Sequence, residues 1–165
     1  MKPALAHKQW LPVALMVWAF ASVGVHAKET KLVSQVVAAA NINPNRNGMP
    51  QPVKLHIYYL AKSDAFMMAN LGDLIAPKAP ILGPDLIRQT ETLVGPGEMV
   101  ALDDKFDAAA QFIGVVAEFA NIDTASWRSV AAVPVKKWTD VVKLFSHKKL
   151  LISIDGTTVK CAIED

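Results

Sequence analysis

The sequence predicts a mainly β protein, an antiparallel β-sandwich with one or two short helical additions. Three observations carry that reading. Val53-Lys54-Leu55-His56-Ile57-Tyr58-Tyr59-Leu60 alternates with period two, as in a strand with one buried face. Asp155-Gly156 separates two apolar runs, Leu150–Ile154 and Thr157–Ile163, which is a hairpin signal. Strand-like segments number six to eight at irregular spacing, with little helix and no β-α-β alternation, and so point to two packed antiparallel sheets.

The first residues stand apart from that pattern. Lys2, His7 and Lys8 precede the apolar run Leu11–Val25, which ends at the small-residue sequence Val25-His26-Ala27. This is the form of an export signal, here residues 1–27, with cleavage expected before Lys28. The run holds fifteen residues and is interrupted by Pro12. It is shorter than the ~20 residues that span a bilayer, so a cleaved peptide is expected in preference to a retained anchor. Residues 28–165 are then one exported domain, long enough to bury a substantial core.

Loss of Lys2 and Lys8 from the 17 basic residues leaves 15, against 15 acidic residues, all of which follow Ala27. A balanced chain makes no global field for gathering nucleic acid, and no basic stripe is interleaved with aromatics. Cys161 is the one cysteine, so no intramolecular disulfide can form and the core must hold the fold. It shares a strand face with Val159 and Ile163 and reads as a small buried hydrophobe.

Taken in order, Lys31–Ala40 is rich in Val and Ala and fits a strand or a short helix. By adjacency it is the expected hairpin partner of Val53–Leu60, whose Val53, Leu55, Ile57 and Tyr59 point inward and whose Lys54, His56 and Tyr58 point outward. Ser63 and Asp64 start a helix in which Met67, Met68, Leu71, Leu74 and Ile75 recur at helical spacing up to Pro77, its methionines packing on the sheet. After Pro77 and Pro80, Asp85–Val94 reads as a strand, Gly95-Pro96-Gly97 as a turn and Glu98–Leu102 as a further β element. Asp103–Asp107 lacks the alternating oxygen ligands and closing glutamate of a calcium loop and reads as a solvated turn.

Gln111–Phe119 has the continuous apolarity of a central strand, in which Gly114 marks a bulge or a close backbone approach. Trp127–Pro134 is another strand. Trp138, Val141, Val142 and Phe145 then recur at helical spacing, with Lys136, Lys137, Lys143, Lys148 and Lys149 on the other side as a solvated or membrane-facing surface.

The stretch most indicative of function is Asn43-Pro44-Asn45-Arg46-Asn47-Gly48-Met49-Pro50, followed by Gln51 and Pro52. Prolines fix φ, Gly48 permits positive φ, and asparagine side chains bond to nearby backbone, so the loop is stiff rather than disordered. Connections commonly run about 4–6 residues and longer shaped loops are usually functional or disordered, so this stiff one is expected to recognise another protein, the alternative being an ordered turn with no partner.

Catalytic chemistry is missing. Past residue 27 the histidines are His56 and His147, with no ligand-like spacing to carboxylate or thiol, and no nucleophile elbow, phosphate loop or dinucleotide fingerprint occurs. No enzyme activity, metal, cofactor or small-molecule ligand is expected. The alternative is an exported sandwich that binds a small molecule or carbohydrate.

The order of features carries a resemblance. Asn43-Pro44-Asn45 with Gly48, Pro50, Pro52 and Val53, then Ile57-Tyr58, Phe66, Leu71-Gly72-Asp73-Leu74, Leu93-Val94-Gly95-Pro96-Gly97, Phe112–Phe119 and Trp127-Arg128 resemble the TssJ-like (SciN/VasD) lipoproteins of the type VI secretion membrane complex. The resemblance implies a transthyretin-like sandwich that lies in the periplasm at the outer membrane. It also implies a partner, the periplasmic C-terminal region of a TssM-like inner-membrane subunit, contacted through the loop between the first two strands, here Asn43–Pro50. Two features depart from the family. No cysteine precedes Cys161, so lipidation at an N-terminal cysteine is impossible in this chain; a free periplasmic form, a retained Leu11–Val25 anchor and tethering by a partner remain as alternatives. The lysine-rich stretch 136–149 is also longer than the family leads one to expect.

Overall fold

The computed structural model describes residues 30, 31, 33–102, 105, 106, 109–133 and 149–164. The signal segment and the amphipathic stretch Trp138–Phe145 lie outside the described residues, as does most of the acidic turn Asp103–Asp107. Among the described residues there are ten strands: β1 (Thr30–Lys31), β2 (Val33–Ala38), β3 (Val53–Leu60), β4 (Leu86–Val94), β5 (Met99–Ala101), β6 (Lys105–Phe106), β7 (Phe112–Ala117), β8 (Arg128–Ala132), β9 (Lys149–Asp155) and β10 (Thr158–Glu164). They form one sheet in the order β10-β9-β2-β5, a second in the order β4-β3-β7-β8, and the short pair β1-β6. The expected sandwich is present, and among the described residues the strand ladders are antiparallel except that of β2 with β9, while an isolated parallel bridge joins Ser126 to Thr158.

β2 is a strand, but not the hairpin partner of β3. The two lie in opposite sheets, because the long proline-rich loop carries the chain across the sandwich instead of turning it back. Gly95–Gly97 forms the expected turn, with the Glu98 amide on the Gly95 carbonyl at 3.2 Å, and passes the chain from β4 to β5 in the other sheet. There Gly97 adopts φ +72° and donates its amide to the Ala39 carbonyl at 3.0 Å. The hairpin at Asp155-Gly156 forms as expected, with Thr158 opposite Asp155 and Gly156 at φ +53°.

Between the sheets, Val53, Leu55, Ile57 and Tyr59 of β3 and Ile113, Val115 and Ala117 of β7 pack on Leu150, Ile152 and Ile154 of β9. The second face of β3 is also covered. Tyr58, Leu60 and Val116 lie beneath Phe66 and Leu74 of the helical addition and Leu82 of the 3-10 turn Pro80–Asp85 that follows it. The outward reading of His56 and Tyr58 is corrected: Tyr58 is buried there, His56 is buried beside Glu91 and Glu118, and of the three only Lys54 is exposed. The Tyr58 hydroxyl is satisfied there by donating to the Leu74 carbonyl at 2.8 Å.

The addition is two helices, α1 (Asp64–Met68) and α2 (Leu71–Ile75), where the sequence suggested one. Asn70 makes the break. It is extended (ψ 167°) and its side chain accepts the Asp73 amide, capping α2 at its start. Arg128 clamps α1 to the sheet by donating to the Phe66 and Ala69 carbonyls at 3.0 and 2.8 Å. In so short a helix Phe66 and Leu74 take the sheet-facing positions, and the methionines expected there, Met67 and Met68, are exposed instead.

Candidate functional site

The Asn43–Pro50 loop is built from its own asparagines. Asn45 accepts the amides of Asn47 and Met49 on its side-chain oxygen, at 2.9 and 3.0 Å. Its backbone adds two bonds, the Asn45 amide to the Met49 carbonyl and the Gly48 amide to the Asn45 carbonyl, both at 2.9 Å. Gly48 sits at φ +76°, with open space where a side chain would be. The result is a closed tip in which Arg46, Asn47, Gly48, Met49 and Pro50 are exposed while Pro44 and Asn45 are half-buried.

Asn43 belongs to the base rather than the tip. It is buried, and its neighbour Ile42 is buried completely in the core. The Asn43 side chain donates to the Pro52 carbonyl at 2.8 Å and accepts the Ala120 amide at 2.7 Å, while its own amide donates to the Gly156 carbonyl at 2.8 Å. A further bond, from the Gln51 amide to the Ile42 carbonyl at 3.1 Å, closes the two legs of the loop. Sequence reasoning missed Ala120 and Gly156 as supports; nothing local to either marks it as a partner of Asn43.

One polar cluster lies on the same sheet. His56 is 1% exposed, with Nε2 2.5 Å from Glu118 Oε1; its Nδ1 stands 3.1 Å from Glu91 Oε1 but makes no hydrogen bond. Lys54 pairs with Glu91 at 2.8 Å and lies 3.9 Å from Glu118. The Lys54 hydrogen bond is the main reason that the Glu91 carboxyl titrates below its ordinary value, and the same bond raises Lys54. Here is an ion-pair network without a nucleophile, and among the described residues no three His, Cys, Asp or Glu side chains gather as a metal site. Cys161 packs against the core, and burial pushes its thiol up to about 12. That is the opposite of an activated nucleophile.

Among the described residues an open hollow runs along β4 from Leu86 to Glu91, and another lies between β2 and the β9–β10 hairpin. Neither is lined by an aromatic side chain among the described residues, whereas small-molecule sites are usually rich in them.

The model of the type VI secretion lipoproteins, SciN, VasD, EvfM and TssJ, matches residues 30–157. The chain belongs to this family. The TssJ1 lipoprotein of Pseudomonas aeruginosa is 29% identical to this TssJ-like chain, with a TM-score of 0.72 over 84% of this chain and 98% of that one. A chain in a structure of the type VI membrane complex is also 29% identical, with a TM-score of 0.66, covering 81% and 98% of the two chains. A chain in the structure named for the T6SS protein TssM C-terminal domain from EAEC is 27% identical, with a TM-score of 0.61, covering 79% and 98%. No curated protein sequence gives a significant match. The TssJ-like chain is thus a type VI secretion component with the family's β-sandwich.

Proposed function

We propose that this TssJ-like chain is a non-catalytic periplasmic component of the secretion membrane complex, binding the periplasmic C-terminal region of a TssM-like inner-membrane subunit through the loop between β2 and β3. The observation that carries the reading is the exposed tip Arg46–Pro50, which its own hydrogen bonds hold in shape without any partner. Such a tip has little ordering entropy to lose on docking, so a modest contact area can bind usefully. The similarity to a chain in the structure named for the TssM C-terminal domain supports the choice of partner. Export by residues 1–27, without an N-terminal lipid, belongs to the same proposal.

The test replaces Arg46–Met49 with Gly/Ser and measures binding of the purified TssM-like periplasmic region by calorimetry, with melting curves alongside. Affinity should fall by about tenfold or more, through lost contacts and through the entropy of a flexible substitute, while the melting temperature hardly moves. Wild-type affinity from a folded variant would show that the partner docks elsewhere.

A further inference from the structure

We infer that Asn43 is a positioning residue for the partner-binding tip rather than a contact of the partner, and that it aims the tip by locking the base of the β2–β3 loop to the β7–β8 and β9–β10 connections. The inference rests on the proposed binding role of the tip and assigns a cause to its orientation. Asn43 is 5% exposed, so a partner at the tip does not reach it. Its backbone is left-handed, at φ +48°, a region that asparagine tolerates far better than most side chains. Three bonds then tie one residue to three other segments: the side-chain amide to Pro52 on the returning leg of the loop, the side-chain oxygen to Ala120 after β7, and the backbone amide to Gly156 in the hairpin turn.

The division of labour with Asn45 follows from those partners. All of the Asn45 bonds stay inside the tip, to Asn47, Gly48 and Met49, so they fix its shape. The bond between Asn43 and Ala120 spans 77 residues of sequence and reaches the opposite sheet's loop, so it fixes where that shape points. Removing the Asn43 side chain should therefore leave a folded tip on a loosened base. A correctly shaped but wandering epitope must be ordered at the moment of binding, and affinity suffers for that reason alone.

Asn43→Gly is the informative variant, because glycine keeps the positive φ and the amide to Gly156 while deleting both side-chain bonds. Asn43→Asp retains an acceptor for the Ala120 amide but sets a carboxylate against the Pro52 carbonyl. Binding of the TssM-like periplasmic region is measured well below the melting transition of each protein, beside the Arg46–Met49 replacement, and amide hydrogen exchange is followed in the free proteins. Asn43→Gly should weaken binding by about tenfold, and Asn43→Asp by less. Exchange should quicken at Ala120 while Gly48 and Met49 keep their protection. A purely structural role would lower the melting temperature and leave the affinity of the folded protein as in wild type. If the tip replacement weakens binding and Asn43→Gly binds within about twofold of wild type, Asn43 does not aim the tip and the inference falls alone. If both variants bind as wild type, the tip is not the docking site, and the binding proposal falls with it.

Discussion

The ring of Phe66 occupies the space above Gly114: a Cβ on that glycine would lie 2.7 Å from Phe66 Cζ and 2.8 and 2.9 Å from two further ring carbons. Gly114 is in the middle of β7, between Tyr58 on β3 and Val130 on β8. Glycine weakens a strand, yet here its missing side chain lets α1 seat its one fully buried residue on the sheet, beside the Tyr58 ring.

Gly114→Ala should therefore destabilise the domain by about 1–3 kcal/mol, the usual range for overpacking, read from urea unfolding. Phe66→Ala should cost about 3–5 kcal/mol. In the double variant the added methyl occupies space that the ring has left, so the two effects should fall well short of additive. Full additivity would mean that the two residues do not compete for the same space.

The buried His56 joins β3 to the end of β7 through Glu118 and faces Glu91 on β4. Replacing it with leucine removes a hydrogen bond in a site that is only partly wet, and unfolding should become easier by about 1–3 kcal/mol. The acid limb follows from Glu91, whose folded value is lowered first by Lys54 and in smaller part by His56. Its contribution is present above the ordinary value of 4.5 and is lost as pH falls through the folded value. The carboxylate is 46% exposed and screened by solvent, so the contribution is small, and Glu91→Gln should make the acid limb of a melting-temperature profile only slightly shallower. A marked change on that substitution would contradict the exposed position of the pair.

Cys161 gives an alkaline counterpart. Its Sγ lies 3.9 Å from the Ile113 carbonyl, and burial raises the thiol to about 12 from an ordinary 9.0. The folded state holds this proton more tightly than the unfolded state does. Stability is thus complete below pH 9 and declines as pH rises from there towards 12. At pH near 8 a thiol reagent should react slowly with the native protein and at once in urea. Rapid labelling of the native protein would show that the thiol is accessible.

Much of this fold is legible in the sequence because strand alternation, a continuous apolar run and the Asp-Gly turn are local signals. β3, β7 and the β9–β10 hairpin follow from them. Which sheet receives β2 is not local; the loop after it crosses the sandwich, and adjacency misleads. His56 and Tyr58 read as a solvated face because alternation sees one strand at a time and cannot tell that Phe66 and Leu74 will cover Tyr58 or that Glu91 and Glu118 will meet His56. The stiffness of Asn43–Pro50 is legible from its prolines, asparagines and glycine. The division into a buried base and an exposed tip is not, since the partners of Asn43 at Ala120 and Gly156 are distant in the chain.

Within the tip, Met49 is 54% exposed and Arg46 is exposed too, a flexible apolar side chain and a planar charged fork on one hydrogen-bonded loop. Interface energy concentrates in a few such anchors, and truncating a central one costs about 2 kcal/mol or more. Arg46→Ala and Met49→Ala should each lower affinity for the TssM-like region to that extent in calorimetry. Melting temperatures should stay put, since exposed side chains away from the core change stability by less than about 0.5 kcal/mol. Arg46→Lys separates two kinds of contact: a bidentate bond to a partner carboxylate is lost with the fork, whereas a simple attraction between charges survives the exchange. If Arg46→Lys binds as wild type while Arg46→Ala does not, charge alone is being read. If neither Arg46→Ala nor Met49→Ala affects binding while the Gly/Ser replacement does, the partner reads the backbone shape of Asn47-Gly48 that the Asn45 side chain holds in place.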